Sequence, residues 1–159
     1  MEYAKLKTLT ISTFDKNERE DLEFVKKLCK DESIGKWFHG ITVGLLHNPK
    51  NEFFDHSFLV RHNNTLVGYI GIGNFNEIEK SVYLRAAIDK GQRGKKYGEI
   101  LLQEITDYIF ENYSQIESIR LKIDRQNKAS LSTANACGYK WLENEIFAKF
   151  NPYINNKKL

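Results

Sequence analysis

Ala86-Ala87-Ile88-Asp89-Lys90-Gly91-Gln92-Arg93-Gly94-Lys95-Lys96-Tyr97-Gly98 leads straight into a segment in which Tyr97, Leu101, Ile105, Tyr108 and Ile109 share one helical face to about Asn112. An apolar strand therefore runs into a basic, glycine-bearing turn, and the turn opens directly onto a helix. Glycine lets backbone approach a ligand closely, and the unsatisfied N–H groups of a helix start attract phosphate oxygens. Arg93, Lys95 and Lys96 add positive charge at the same point. The stretch reads as a pyrophosphate-holding turn.

Outward from this turn, the chain alternates strand and helix signals. Thr8 to Ser12 is β-rich and predicts a first strand. Asp15 with Glu18 three residues on resembles a capping box, and Leu22, Val25, Leu28 and Cys29 then recur at helical spacing. Ile34, Trp37, Phe38, Ile41 and Leu45 give a second helical pattern, interrupted by Gly35, Gly40 and Gly44 and so expected to be short, broken or an adaptable lid. Phe58 to Arg61 and Leu66 to Ile72 predict a hairpin around residues 62–65, and Ser81 to Ile88 the next strand. Ile116 to Ile123 predicts a strand and Lys128 to Cys137 a helix closed by Gly138. Tyr139 to Leu142 and Ile146 to Phe150 predict closing strands, and 155–159 is a polar tail. This order implies one mixed α/β domain over residues 1–159.

Composition narrows the class. The 159 residues, 41% of them hydrophobic, suit one domain with a packed core. A net charge of +3 is too mild for bulk binding to nucleic acid. Cys29 and Cys137 lie far apart, without metal-ligand spacing, and read as buried reduced thiols with no metal. No apolar run approaches the ~20 residues of a membrane span. Residues 1–5 lack a signal-peptide core, so a cytoplasmic protein is expected.

The second motif is Asn127-Lys128-Ala129-Ser130, with Gly138-Tyr139 beginning eight residues after the serine. Together with Arg93-Gly94-Lys95-Lys96-Tyr97-Gly98, it resembles the GNAT superfamily of N-acetyltransferases, which use acetyl-coenzyme A. The first stretch is similar to that superfamily's R-G-x-G-x-G/A loop, and the second to the N-x-x-S-x(7)-G-F/Y pattern of the RimJ/RimL-type branch. The resemblance implies the GNAT fold, α+β in character: a mixed, mostly antiparallel sheet of six to seven strands flanked by about four helices. It also implies cofactor-binding roles. Backbone groups of Ala86, Ala87 and Ile88 would pair with the pantetheine arm, and amides of Arg93, Gly94, Lys95, Lys96, Tyr97 and Gly98 would cradle the pyrophosphate. Asn127 would contact the pantetheine or phosphate region, and Ser130 would lie near the thioester sulfur.

Each residue also has a plain structural reading. Asn127 fits a helix N-cap, Gly138 a C-cap, and the basic turn a solvated loop. Lys96 stands where the family has its middle glycine, and Lys90 where proline is frequent. Helical dihedrals at Lys96 would make that departure tolerable. The tyrosine acid of many members falls at Ala134, and the glutamate base of some at Lys122.

Acetyl transfer needs an unprotonated amine, stabilisation of a developing oxyanion and a protonated leaving thiolate. A backbone N–H near Ile88 is the expected oxyanion donor, and Ser130 the expected partner of the thiolate. His39 is the candidate base, with Glu77 and Glu79 behind it. Trp37, Phe38 and Tyr83 are candidate walls of the acceptor site. An α-amine, with pKa about 8, needs less help from a base than lysine at about 10.4. The acceptor is therefore expected to be a protein N-terminal α-amine or a small amine. A homodimer is the assembly frequent in this branch. The rival reading is a non-catalytic module that holds coenzyme A and partners another protein. A P-loop is disfavoured, because the turn lacks the Gly-Lys-Ser/Thr ending.

Overall fold

The computed structural model describes residues 2–35 and 52–154. Chain order is β1 (Glu2–Lys5), β2 (Thr10–Ser12), α1 (Arg19–Lys30), α2 (Glu32–Gly35), β3 (His56–His62), β4 (Thr65–Asn76), β5 (Ser81–Ile88), a 3-10 turn at Lys90–Gln92, α3 (Tyr97–Asn112), β6 (Ser118–Lys122), α4 (Lys128–Ala136), β7 (Lys140–Glu143) and β8 (Ile146–Phe150). The strands form one sheet in the order β1-β2-β3-β4-β5-β6-β8-β7. Every pairing is antiparallel except β5 with β6. That exception follows from α3, the crossover that brings β6 back parallel to β5.

The sheet has eight strands rather than the expected six to seven, and four α-helices lie among the described residues. The additional strand is β1, whose half-buried Tyr3 stacks on Phe53 and meets Phe58 at a tilt. Side chains alternate across each strand, so the two faces carry separate cores. Val82, Leu84, Ile119 and Leu121 pack with Leu101, Ile105 and Ile109 of α3 on one face. Leu59, Tyr69 and Ala87 pack with Phe24, Val25 and Leu28 of α1 on the other.

Two expectations fail near α1. The helix begins at Arg19, and no side chain caps it. The Asp15 carboxylate instead accepts from the Asn17 amide at 2.9 Å, and Asp21 accepts from the Asp15 amide at 3.0 Å, so the capping box does not form. Cys29 is exposed, whereas Cys137 is buried as expected. Cys29 follows Leu28 by about 100° around the helix, which turns it off the buried stripe.

Candidate active site

β5 and β6 pair over Ser81↔Ser118, Val82↔Ile119 and Tyr83↔Arg120. There the pairing stops, while β5 runs on to Ile88 against β4. A gap therefore opens in mid-sheet. Its mark is the exposure of Arg85 and Ala86, neighbours on an interior strand.

Which backbone groups face the gap follows from one hydrogen bond. The Asp89 amide donates to the Val67 carbonyl at 2.8 Å, toward β4. Alternation then turns the N–H and C=O groups of Ala86 and Ile88 toward the gap and those of Ala87 toward β4. The approach to β4 is close enough that a Cβ on Gly68 would lie 2.5 Å from the Ala87 carbonyl oxygen. Of the three expected backbone partners, Ala86 offers both groups and Ile88 its N–H to the gap, the Ile88 carbonyl being held by Arg93, and Ala87 spends its own within the sheet. An extended polar ligand could add along this edge as a strand does.

The turn from β5 into α3 closes one end of the gap. Gly94 has φ +86°, and Lys96, the N-cap of α3, has φ 63° and ψ 22°. Lys96 is thus left-handed, so the condition under which a lysine there would be tolerated without cost is not met. Glycine is the residue that adopts this conformation without cost, which accounts for its place in the family pattern. No side chain caps α3, so the amides of its first turn keep their donors for another partner. At Gly98 a Cβ would meet only Ile88 Cγ1, at 3.9 Å, so the protein's own packing does not require glycine there.

Arg93 does not point its charge at that turn. Its guanidinium donates to the Ile88 carbonyl at 3.1 Å, to Ser33 Oγ at 2.9 Å and to Asp31 Oδ2 at 3.1 Å. Arg93 is a strap between the end of β5 and the α1–α2 corner. Asp31 also accepts from the Ser33 hydroxyl at 2.6 Å, and that bond, with Arg93 adding to it, holds the carboxyl below its ordinary range. Lys95 donates to Gln92 Oε1 at 3.1 Å. Tyr97 pairs its hydroxyl with His62 Nδ1 at 2.8 Å, tying α3 to the β3–β4 hairpin.

The turn from β6 into α4 is built differently. Asn127 is the N-cap, and its Oδ1 accepts from the Ser130 amide at 3.2 Å. Its side-chain amide nitrogen keeps two donors. Gly138 has φ +86° and donates to the Asn135 carbonyl, while Tyr139 donates to that of Ala134, which together form a Schellman cap. Ala134, the position of the family's tyrosine, is fully buried in the core. Lys122 is exposed at the end of β6. Burial raises the Cys137 thiol above its ordinary range, keeping it protonated beneath α3.

His39, Trp37 and Phe38, the glycine-interrupted segment and the tail 155–159 lie outside the described residues. Glu77 and Glu79 sit in the turn before β5, about 17 Å along the strand from Ala86, and are not brought to the gap. Glu79 pairs with Arg120 at 3.2 Å. Tyr83 is half-buried on the α1 face opposite Gly73.

Nearer the gap, that face holds residues the sequence reading passed over. Gly71 pairs with Ser57 on one side and Arg85 on the other. The Tyr69 hydroxyl, bonded to Ser57 Oγ at 3.3 Å, covers Gly71 so closely that a Cβ there would lie 2.8 Å from it. The alternation of Gly71 and Gly73 beside an arginine was the available signal.

The sequence model described as "Acetyltransferase (GNAT) family" matches residues 16–139. A search of curated proteins finds no match. Among solved structures, a GNAT-family acetyltransferase from Bacillus anthracis superposes with TM-score 0.74 at 19% identity, covering 95% of this chain and 99% of that one. The Salmonella typhimurium acetyltransferase that modifies the N-terminal serine of ribosomal protein L7/L12 gives 0.70 at 15%, covering 91% and 95%. Spermidine N-acetyltransferase from Vibrio cholerae, in complex with coenzyme A and spermine, gives 0.67 at 18%, covering 91% and 96%. The match spans the parted strands and both strand-to-helix turns, and with it the chain belongs to the Acetyltransferase (GNAT) family.

Proposed function

We propose that the protein is a RimJ/RimL-like N-acetyltransferase that acts as one domain and transfers the acetyl group of acetyl-coenzyme A directly to a primary amine. A protein N-terminal α-amine is the first acceptor class and a small amine the second. The observation that carries the reading is the parting of β5 and β6 beside an uncapped, basic helix start. An open backbone edge and unclaimed amides are what a pantetheine arm and a pyrophosphate require, so the residues fit the cofactor.

Acetyl-coenzyme A supplies an activated acetyl thioester; the chain's own groups do the rest. Ala86 and Ile88 would hold the arm through their gap-facing backbone groups, and the Ile88 N–H would be the donor available to stabilise an oxyanion. Gly94, Lys95, Lys96, Tyr97 and Gly98 receive the pyrophosphate, with Arg93 bracing the turn. The remaining donors of Asn127 would hold the arm, and the Ser130 hydroxyl would be the donor for the leaving thiolate. His39 takes the amine proton. No described helix is long and apolar enough to cross a membrane. The reading includes a cytoplasmic protein that pairs as a homodimer.

Following thiol release from acetyl-coenzyme A with N-terminal peptides and polyamines tests this. Ser130→Ala is expected to lower kcat about a hundredfold with little change in coenzyme A affinity. Firm coenzyme A binding without turnover of any amine would favour the non-catalytic module.

A further inference from the structure

Resting on the acetyltransferase reading, we propose that Arg85 selects the acceptor, favouring a peptide N-terminus with acidic side chains among its first residues. Arg85 lies two residues before Ala87, whose side chain packs on the α1 face, so alternation puts Arg85 on that same face. It is therefore on the opposite side of the sheet from α3 and α4, directly beside the gap. Two strand steps, about 7 Å, separate it from Ala87.

The surroundings leave its charge available. Its cross-strand neighbour, Gly71, has no side chain, and the groups beside it are the neutral Tyr69 and Ser57 hydroxyls. Four carboxylates of this side are matched to another cation: Asp21 to Arg61, Asp31 to Arg93, Asp89 to Lys27 and Glu79 to Arg120. Among the described residues Arg85 has no ion pair, and it is exposed. The segment 36–55, which joins α2 to β3, carries two carboxylates, Glu52 and Asp55, and Glu52 lies 3.4 Å from His56 Nε2. An exposed cation with no ion pair, beside the gap, repels polyamines and attracts an anionic acceptor, and a guanidinium binds carboxylates bidentately.

Three peptides identical except for Glu-Glu, Gln-Gln or Lys-Lys at the second and third positions test the assignment, with spermidine as a fourth acceptor. The native protein should give kcat/KM at least about tenfold higher for the acidic than for the neutral peptide. Arg85→Gln should remove that preference while leaving the neutral peptide's turnover and the coenzyme A thermal shift unchanged. Arg85→Glu should reverse it toward the Lys-Lys peptide. A preference for spermidine or for the basic peptide, or an acidic preference that survives Arg85→Gln, overturns the proposal. Absence of an acidic preference in the native protein, with its coenzyme A shift intact, would sink the Arg85 assignment alone. Absence of any coenzyme A shift in the native protein would sink the acetyltransferase reading beneath it.

Discussion

Two helices begin at the same end of this sheet, and they begin in opposite ways. α4 is closed by its own residues, with Asn127 bonded to the Ser130 amide at its start and a Schellman cap at Gly138. α3 starts from the left-handed Lys96 with no side-chain cap, beside a gap where β5 has lost its neighbour. A helix start satisfied from within contributes to stability, and one left open provides donors to a ligand. The difference assigns the pyrophosphate to the open junction, and leaves the closed one only side-chain donors of Asn127 and Ser130 to offer the cofactor.

Variants can break that division. The largest effect is expected from Gly98→Asp, which sets a carboxylate among the α3 amides. Coenzyme A affinity should fall at least about tenfold by calorimetry, because the carboxylate claims the donors and repels phosphate. The fold should survive, since the new Cβ meets only ordinary contact at 3.9 Å. A loss of stability equal to the loss of affinity would erase the contrast.

Asn127→Ala should cost about 1 kcal/mol in urea melts, and Asn127→Asp should restore it, because both Asn and Asp cap. Lys96→Gly should act in the other direction, stabilising by about 1 kcal/mol through relief of a left-handed non-glycine residue. Its coenzyme A affinity then reports what the Lys96 ammonium adds.

The smallest effect concerns the strap. Asp31 has a carboxyl pKa lowered in the folded state, by the Ser33 hydroxyl first and with Arg93 contributing. Its contribution is complete above the unfolded value of about 3.9 and is lost as pH falls through the lower folded value. Asp31→Asn should therefore lower the melting temperature slightly at neutral pH, and the difference from the native protein should vanish in strong acid.

Much of the molecule was legible because its signals are local. The β5-turn-α3 unit, the β3–β4 hairpin and the α4 cap at Gly138 are each written in one contiguous stretch of chain. What escaped depends on partners distant in the chain. Arg93 reads as a phosphate ligand until Asp31 and Ser33 meet it from about sixty residues away. β1 lacks an apolar stripe, since only Tyr3 and Ala4 are half-buried and the aromatic partners of Tyr3 come from Phe53 and Phe58. Asp15 and Glu18 had the spacing of a capping box, but the Asn17 amide took the Asp15 carboxylate. The dihedrals of Lys96 were hidden for another reason. A lysine gives no sign of a left-handed backbone, and only the glycine of the family pattern hinted at it.

The central claim is that the open start of α3 holds the pyrophosphate of acetyl-coenzyme A. Calorimetric titration with coenzyme A and, separately, with pantetheine, which lacks the pyrophosphate, tests it most directly. Coenzyme A is expected to bind at least about tenfold tighter, since charge-assisted hydrogen bonds to phosphate are the strong ones. Equal affinity for the two ligands would contradict it.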